Sequence, residues 1–189
     1  MILNINRTPI QLTTYKDTKS EKEILNLLKI CKENNSLNKI SNIGGIQTAP
    51  VFLDIFVNLF KKDILKYLNS FKKKLDFKYK IVSGWLNENS PGDFNMPHSH
   101  DGGQVHFSGI WYLKCSPTSG GLIFLNKPNN SDFTMLFDFI DDPLSWVNYC
   151  IIPKQYQLVL FPSSLIHLVE PNRSDSNRIS FAFNITLSK

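Results

Sequence analysis

All four histidines of the chain, His98, His100, His106 and His167, lie in its second half, and two of them stand at His-x-His spacing. On an extended segment residues i and i+2 point the same way, so His98 and His100 can offer both imidazoles to one metal ion. Neutral imidazole suits iron, zinc and copper alike, so the pair by itself does not choose the metal. Surface histidines or satisfied core histidines give the same spacing. Asp101 points the opposite way unless a bulge intervenes.

A second constellation lies further on. In Arg178-Ile179-Ser180-Phe181-Ala182-Phe183-Asn184-Ile185 the alternation is clean, with Ile179, Phe181, Phe183, Ile185 and Leu187 on one face and Arg178, Ser180, Ala182 and Asn184 on the other. If the apolar face packs under helices, the other lines an interior where an unpaired guanidinium is costly. Arg178 then requires an anion, and a guanidinium fork with a hydroxyl two residues on is a good carboxylate receptor. The competing reading is a surface arginine paired with Asp175 or Glu170.

These residues need a scaffold, and the periodicity supplies one. A first helix is expected from about Ser20 to Glu33, where Ser20 and Glu23 have capping-box spacing and Ile24, Leu27, Leu28 and Cys31 form a stripe. A second begins at Pro50, with Phe52, Phe56, Phe60, Ile64, Leu68, Phe71 and Leu75 stepping by four or three. The stretch from Asn35 to Gln47 reads as a loop. After Asp76 the period changes to two: Phe77, Tyr79, Ile81 and Trp85 share a face, and Asn87 follows Trp85. Strands are expected at 78–88, 105–114, 120–126, 147–152, 156–161, 165–170 and 177–187, with shorter pieces at 97–101 and 133–138, and Asn126–Ser131 reads as a mobile loop. Helices first and many short strands after them describe an α+β chain, a single domain over 1–189 whose mainly helical part (1–76) packs on one sheet of a jelly roll or barrel (77–189).

Composition sets outer limits. The 189 residues suffice for one substantial core. The start of the chain lacks the pattern of a secretory signal and no apolar run reaches spanning length, which predicts a cytoplasmic protein with no membrane partner. Cys31, Cys115 and Cys150 are odd in number and lack CxxC spacing, which argues for reduced thiols. The formal charge is +5, yet the lysines are scattered apart from Lys72-Lys73-Lys74, which argues against a nucleic-acid surface.

Taken in order, His98-x-His100, Ser108-Gly109-Ile110-Trp111-Tyr112-Leu113, Gly120-Gly121-Leu122-Ile123-Phe124, Phe161-Pro162-Ser163, His167-x-Val169-x-Pro171 and Arg178-x-Ser180 resemble the 2-oxoglutarate/Fe(II) oxygenases. The resemblance is nearest to a small bacterial and phage group, is more distant to prolyl 4-hydroxylases, and covers about residues 79 to 187. It implies a double-stranded β-helix, a cupin-like jelly roll, with Fe(II), 2-oxoglutarate and O2 as cofactor and co-substrates. It implies that His98 and His167 bind iron, that Arg178 clamps the distal carboxylate of 2-oxoglutarate, and that Tyr112 and Ser180 assist. The activity implied is hydroxylation of a peptidyl or small-molecule C–H bond, with release of succinate and CO2. The chain departs from the pattern at one point, because His100 stands where the family carries Asp or Glu. His100 is expected to complete the metal site, with Asp101 as the alternative. Three neutral ligands leave such a site one charge unit more positive, altering its potential and affinity. The departure also motivates a rival, a three-histidine cupin-type dioxygenase without 2-oxoglutarate. A non-catalytic binding or structural protein on the same scaffold is the third reading.

Overall fold

Asp17, not Ser20, opens the first helix. Its carboxylate accepts from the N–H groups of Lys19 (3.1 Å) and Ser20 (3.0 Å), two donors a helix start leaves unpaired. In the computed structural model α1 therefore spans Thr18–Glu33, with Ser20 buried in its first turn beside Ile24, Leu28 and Cys31. The structure describes residues 2–5, 8–14, 16–51, 58–71, 78–100, 102–125 and 148–188. Helix α2 covers Lys61–Asn69 and buries Ile64, Tyr67 and Leu68. Much of the longer helix expected from Pro50 falls at 52–57 and 72–77, outside the described residues, as do Asp101, the loop at 126–131 and the strand at 133–138.

Thirteen strands are described: β1 (Ile2–Ile5), β2 (Thr8–Thr14), β3 (Leu37–Asn38), β4 (Asn42–Ile43), β5 (Ile46–Thr48), β6 (Lys78–Asn89), β7 (Phe94–His98), β8 (Phe107–Lys114), β9 (Leu122–Leu125), β10 (Asn148–Ile151), β11 (Gln157–Pro162), β12 (His167–Val169) and β13 (Arg178–Ser188). They form an eight-stranded sheet, β1-β2-β11-β8-β13-β6-β5-β3, facing a five-stranded one, β10-β9-β12-β7-β4. Seven expected strands are present with boundaries shifted by a few residues. The stretch expected to be a loop instead carries β3, β4 and β5, short strands that lean on β6 and β7. The hairpin β1–β2 had no forecast. Its strand β2 pairs with β11 and extends the large sheet.

The helices cover the outer face of the large sheet. Ile24, Leu28, Phe60 and Ile64 pack with Leu86, Trp111, Phe181, Phe183 and Ile185, and the Phe60 ring stacks on Phe183 at 4.9 Å. A second core of Ile110, Leu122, Phe124, Val159, Phe161, Val169 and Ala182 fills the space between the sheets. The α+β jelly roll with helices on one sheet is thus as the sequence implied, with one inversion. Asn184 pairs with Ser83 but Ile185 pairs with Ile81, so Val82 is an extra residue in β6. The bulge flips the parity: Tyr79 and Ile81 lie with the helices, whereas Trp85 turns to the inter-sheet core.

Candidate metal and anion site

Strands β7 and β12 are antiparallel neighbours in the small sheet, with His167 directly opposite His98. This register brings their ring centroids to 4.3 Å. His100 lies two residues past the end of β7 and is held by other means. Its N–H donates to Ser163 O at 2.8 Å, and its Nδ1 lies 2.9 Å from both Ser108 Oγ and Asn184 Oδ1. Its ring centroid is 5.1 Å from those of His98 and His167. One ring nitrogen from each of the three lies within 4.8 Å of the others, an arrangement that can hold a metal ion.

The local chemistry favours ligation. His98 Nδ1 donates to Met96 O at 2.7 Å and His167 Nδ1 donates to Leu165 O at 2.9 Å. A carbonyl only accepts, so each ring carries its hydrogen on Nδ1 and a lone pair on Nε2. Burial holds the pKa of His98 below the usual histidine value. Burial also pushes His167, reinforced by His98 and His100 beside it, down to about 3. Neutral imidazoles are what a metal requires. Phe161 packs edge-on against His167 at 4.9 Å, and Trp85 against His100 at 5.4 Å.

The same three histidines line a cleft whose far end is Arg178, Tyr112 and Ser180. Arg178 is 1% exposed, so it is no surface arginine. Its Nη1 donates to Ser119 O and, at 3.2 Å, to Glu170 O, so Glu170 meets it through its backbone rather than its carboxylate. Gly120 makes that approach possible, because its φ is +87° and a Cβ there would lie 2.8 Å from Pro171 O. Three buried donors in this region have no hydrogen-bond partner among the described residues: Arg178 Nη2, Tyr112 OH and Asn89 Nδ2. Cross-strand register groups them, since Arg178 faces Asn89 and Ser180 faces both Asn87 and Tyr112. Burial raises the Tyr112 pKa, keeping its hydroxyl a donor. Buried donors left open beside a guanidinium are costly in an apolar interior and fit a carboxylate.

All six residues singled out as site candidates therefore line one cleft. His106 does not. It is exposed, and its Nδ1 accepts from Leu187 N at 3.1 Å. Sequence reasoning missed the parts played by Ser108 and Asn89, whose only signal is cross-strand register, and by Asn184, which the alternation of β13 had placed on the interior face. A wider groove of about 380 Å³ opens onto His98 and His100, and it is walled by Ser41, Gln47, Thr48, Trp85, Val105 and Asn184 among others.

Comparison with known proteins bears on the whole of this region. A family described as "Putative 2OG-Fe(II) oxygenase" matches residues 83–184, more than half of the chain. Among curated proteins no sequence match is found. Several solved structures share the fold. A prolyl-4-hydroxylase of Pseudomonas putida is 16% identical with a TM-score of 0.63, over 94% of this chain and 91% of that one. The viral collagen prolyl hydroxylase of Paramecium bursaria Chlorella virus-1, solved as a 2-oxoglutarate complex, is 16% identical with a TM-score of 0.58, over 93% and 94%. A prolyl hydroxylase of Trichoplax adhaerens, in complex with a hypoxia-inducible factor oxygen degradation domain peptide fragment, is 13% identical with a TM-score of 0.60, over 94% and 83%.

Proposed function

The chain belongs to the 2OG-Fe(II) oxygenase family, and we propose that it hydroxylates a C–H bond of a peptidyl or small-molecule substrate, with His98, His100 and His167 as the iron ligands. Arg178, Tyr112 and Ser180 then bind the distal carboxylate of 2-oxoglutarate. The observation that carries this reading is the pairing, in one cleft, of three converging imidazoles with a buried guanidinium whose Nη2 has no partner among the described residues.

Bound iron and 2-oxoglutarate supply the oxidising power, with succinate and CO2 as the co-products. The protein's own residues place and insulate that chemistry. The backbone carbonyls of Met96 and Leu165 aim two imidazoles. Arg178, gripped by Ser119 O and Glu170 O, presents its second nitrogen as a fixed donor, and Tyr112 adds a hydroxyl. Phe161, Phe124 and Trp85 surround the imidazoles and limit access of water. The groove on the other side of His98 and His100 is where a substrate would enter, and its described walls carry no Lys, Arg, Asp or Glu. Its Ser, Thr, Asn and Gln side chains, with Trp85 and Val105, offer a substrate hydrogen bonds and apolar contact.

Three histidine ligands would also suit a cupin-type dioxygenase that uses no 2-oxoglutarate, in which Arg178 would meet a carboxylate of the substrate itself, so the two readings divide on whether 2-oxoglutarate binds and is consumed. Anaerobic addition of Fe(II) and 2-oxoglutarate should give a visible metal-to-ligand charge-transfer band. Metal-loaded protein that shows no band, and turns no 2-oxoglutarate into succinate, would defeat the reading.

A further inference from the structure

A histidine in the place of a carboxylate creates a requirement the carboxylate did not have. A carboxylate ligates through either oxygen, whereas an imidazole ligates only through the nitrogen that carries no hydrogen. For His98 and His167 the choice is made by backbone carbonyls at 2.7 and 2.9 Å. His100 Nδ1 instead lies 2.9 Å from Ser108 Oγ and 2.9 Å from Asn184 Oδ1. Ser108 and Asn184 are opposed residues on β8 and β13, and both are buried.

Their own contact decides the direction. Ser108 Oγ donates its single hydrogen to Asn184 Oδ1 at 2.9 Å, so the hydroxyl has none left to give to His100. The Asn184 carbonyl accepts and cannot donate. Within this triangle the hydrogen between His100 and its partners must therefore sit on Nδ1, which leaves the lone pair on Nε2. A reversed Asn184 amide would point N–H at Nδ1, place the hydrogen on Nε2 and remove His100 as an Nε2 ligand.

We propose that Asn184, braced by Ser108, is a positioning residue that sets the tautomer and ring direction of His100 and so makes a histidine serviceable as the third metal ligand. This rests on the proposed reading of the three histidines as the metal site. It also gives β13 a second duty: Arg178 and Ser180 at its start face the anion end of the cleft, and Asn184, on the same face, serves the metal end.

The test uses the full chain with Co(II) as the probe metal, titrated into wild type, His100→Ala, Asn184→Leu and Asn184→Asp, with histidine 15N spectra of the metal-free protein. The expected results are Nδ1–H for His100 in wild type, Co(II) affinity lowered about 10- to 100-fold in Asn184→Leu, and affinity kept or increased in Asn184→Asp, whose carboxylate also only accepts. Should Asn184→Leu fold poorly, the wild-type spectrum and Asn184→Asp still decide. An Nε2–H tautomer in wild type overturns the proposal, and so does an Asn184→Leu affinity equal to wild type while His100→Ala is weakened; in that second case the three-histidine site stands. If His100→Ala binds Co(II) as wild type does, the third-ligand reading itself fails and the proposal falls with it.

Discussion

At the scale of single residues, the cleft is defined by groups whose hydrogen-bonding capacity is incompletely used. Tyr112 is the sharpest case: its ring is packed in the inter-sheet core, while its hydroxyl is buried with no partner among the described residues. A structural tyrosine would spend that hydroxyl on a carbonyl, as Tyr67 does with Pro9 O at 2.8 Å. We therefore expect Tyr112→Phe to leave the melting temperature of the ligand-free protein unchanged or higher, since an unmet buried hydroxyl is removed. Its affinity for 2-oxoglutarate should fall about 10- to 100-fold, the worth of roughly 1.5–3 kcal/mol for a hydrogen bond to a charged group. A thermal melt of the ligand-free protein reads the first arm, and calorimetric titration of metal-loaded protein with 2-oxoglutarate reads the second. A lower melting temperature with unchanged affinity would make Tyr112 a core residue only. The sequence exposed much of this scale because residue type and spacing carry it: a lone arginine on an otherwise neutral strand face, and an ordered set of histidines. Asn89 stayed hidden because its place in the cleft depends on its pairing with Arg178, and no local pattern encodes a partner on another strand.

Secondary elements fix these residues through close approaches and a few polar ties. Strand β6 comes so near β13 that a Cβ on Gly84 would lie 2.6 Å from the Phe181 ring, which is locked among Phe60, Phe183 and the helices. Gly84→Ala should therefore destabilise the protein by about 1–3 kcal/mol through overpacking, read by chemical denaturation, and a neutral outcome would mean that this layer can shift. The tie between α1 and β6 is electrostatic. Glu88 accepts from Lys32 Nζ at 2.8 Å and from Asn177 Nδ2 at 2.9 Å. Burial on its own would raise the Glu88 pKa, but these bonds and the charges of Lys32 and Lys114 outweigh it and hold the pKa below the usual value. A carboxylate with a depressed folded pKa contributes stability above its unfolded value and loses it as pH falls through the folded one. Glu88→Gln should thus cost stability at neutral pH, and the gap from wild type should close on acidification below the ordinary glutamate range. A gap of constant size would assign the cost to shape rather than charge. Periodicity revealed α1 and most of the strands, because one buried face imposes it. It could not reveal the bulge at Val82, which reverses Trp85, nor the two-residue strands β3 and β4, which are too short to show a period and owe their form to pairing with β5 and β7.

Across the whole molecule the site straddles the two sheets. His98 and His167 stand on the five-stranded sheet, while Arg178, Ser180 and Tyr112 stand on the eight-stranded one. On the proposed reading, a dicarboxylate that chelates the metal at one end and meets Arg178 at the other would tie the sheets together, and its binding energy would become folding stability. A ligand at about 100 times its Kd adds about 2.7 kcal/mol. In a chain of this size that corresponds to roughly 5–10 °C of melting temperature. We expect Mn(II) alone to raise the melting temperature, and the inert analogue N-oxalylglycine to raise it further only when metal is present. Arg178→Lys should keep the metal increment and lose most of the analogue's, because a point charge replaces the fork. His167→Gln should lose both, since without the metal the analogue has one anchor instead of two. If the analogue stabilised metal-free protein as strongly as metal-loaded protein, its two ends would not be shared between the sheets, and Arg178 would be binding an anion for some purpose other than oxygenase chemistry.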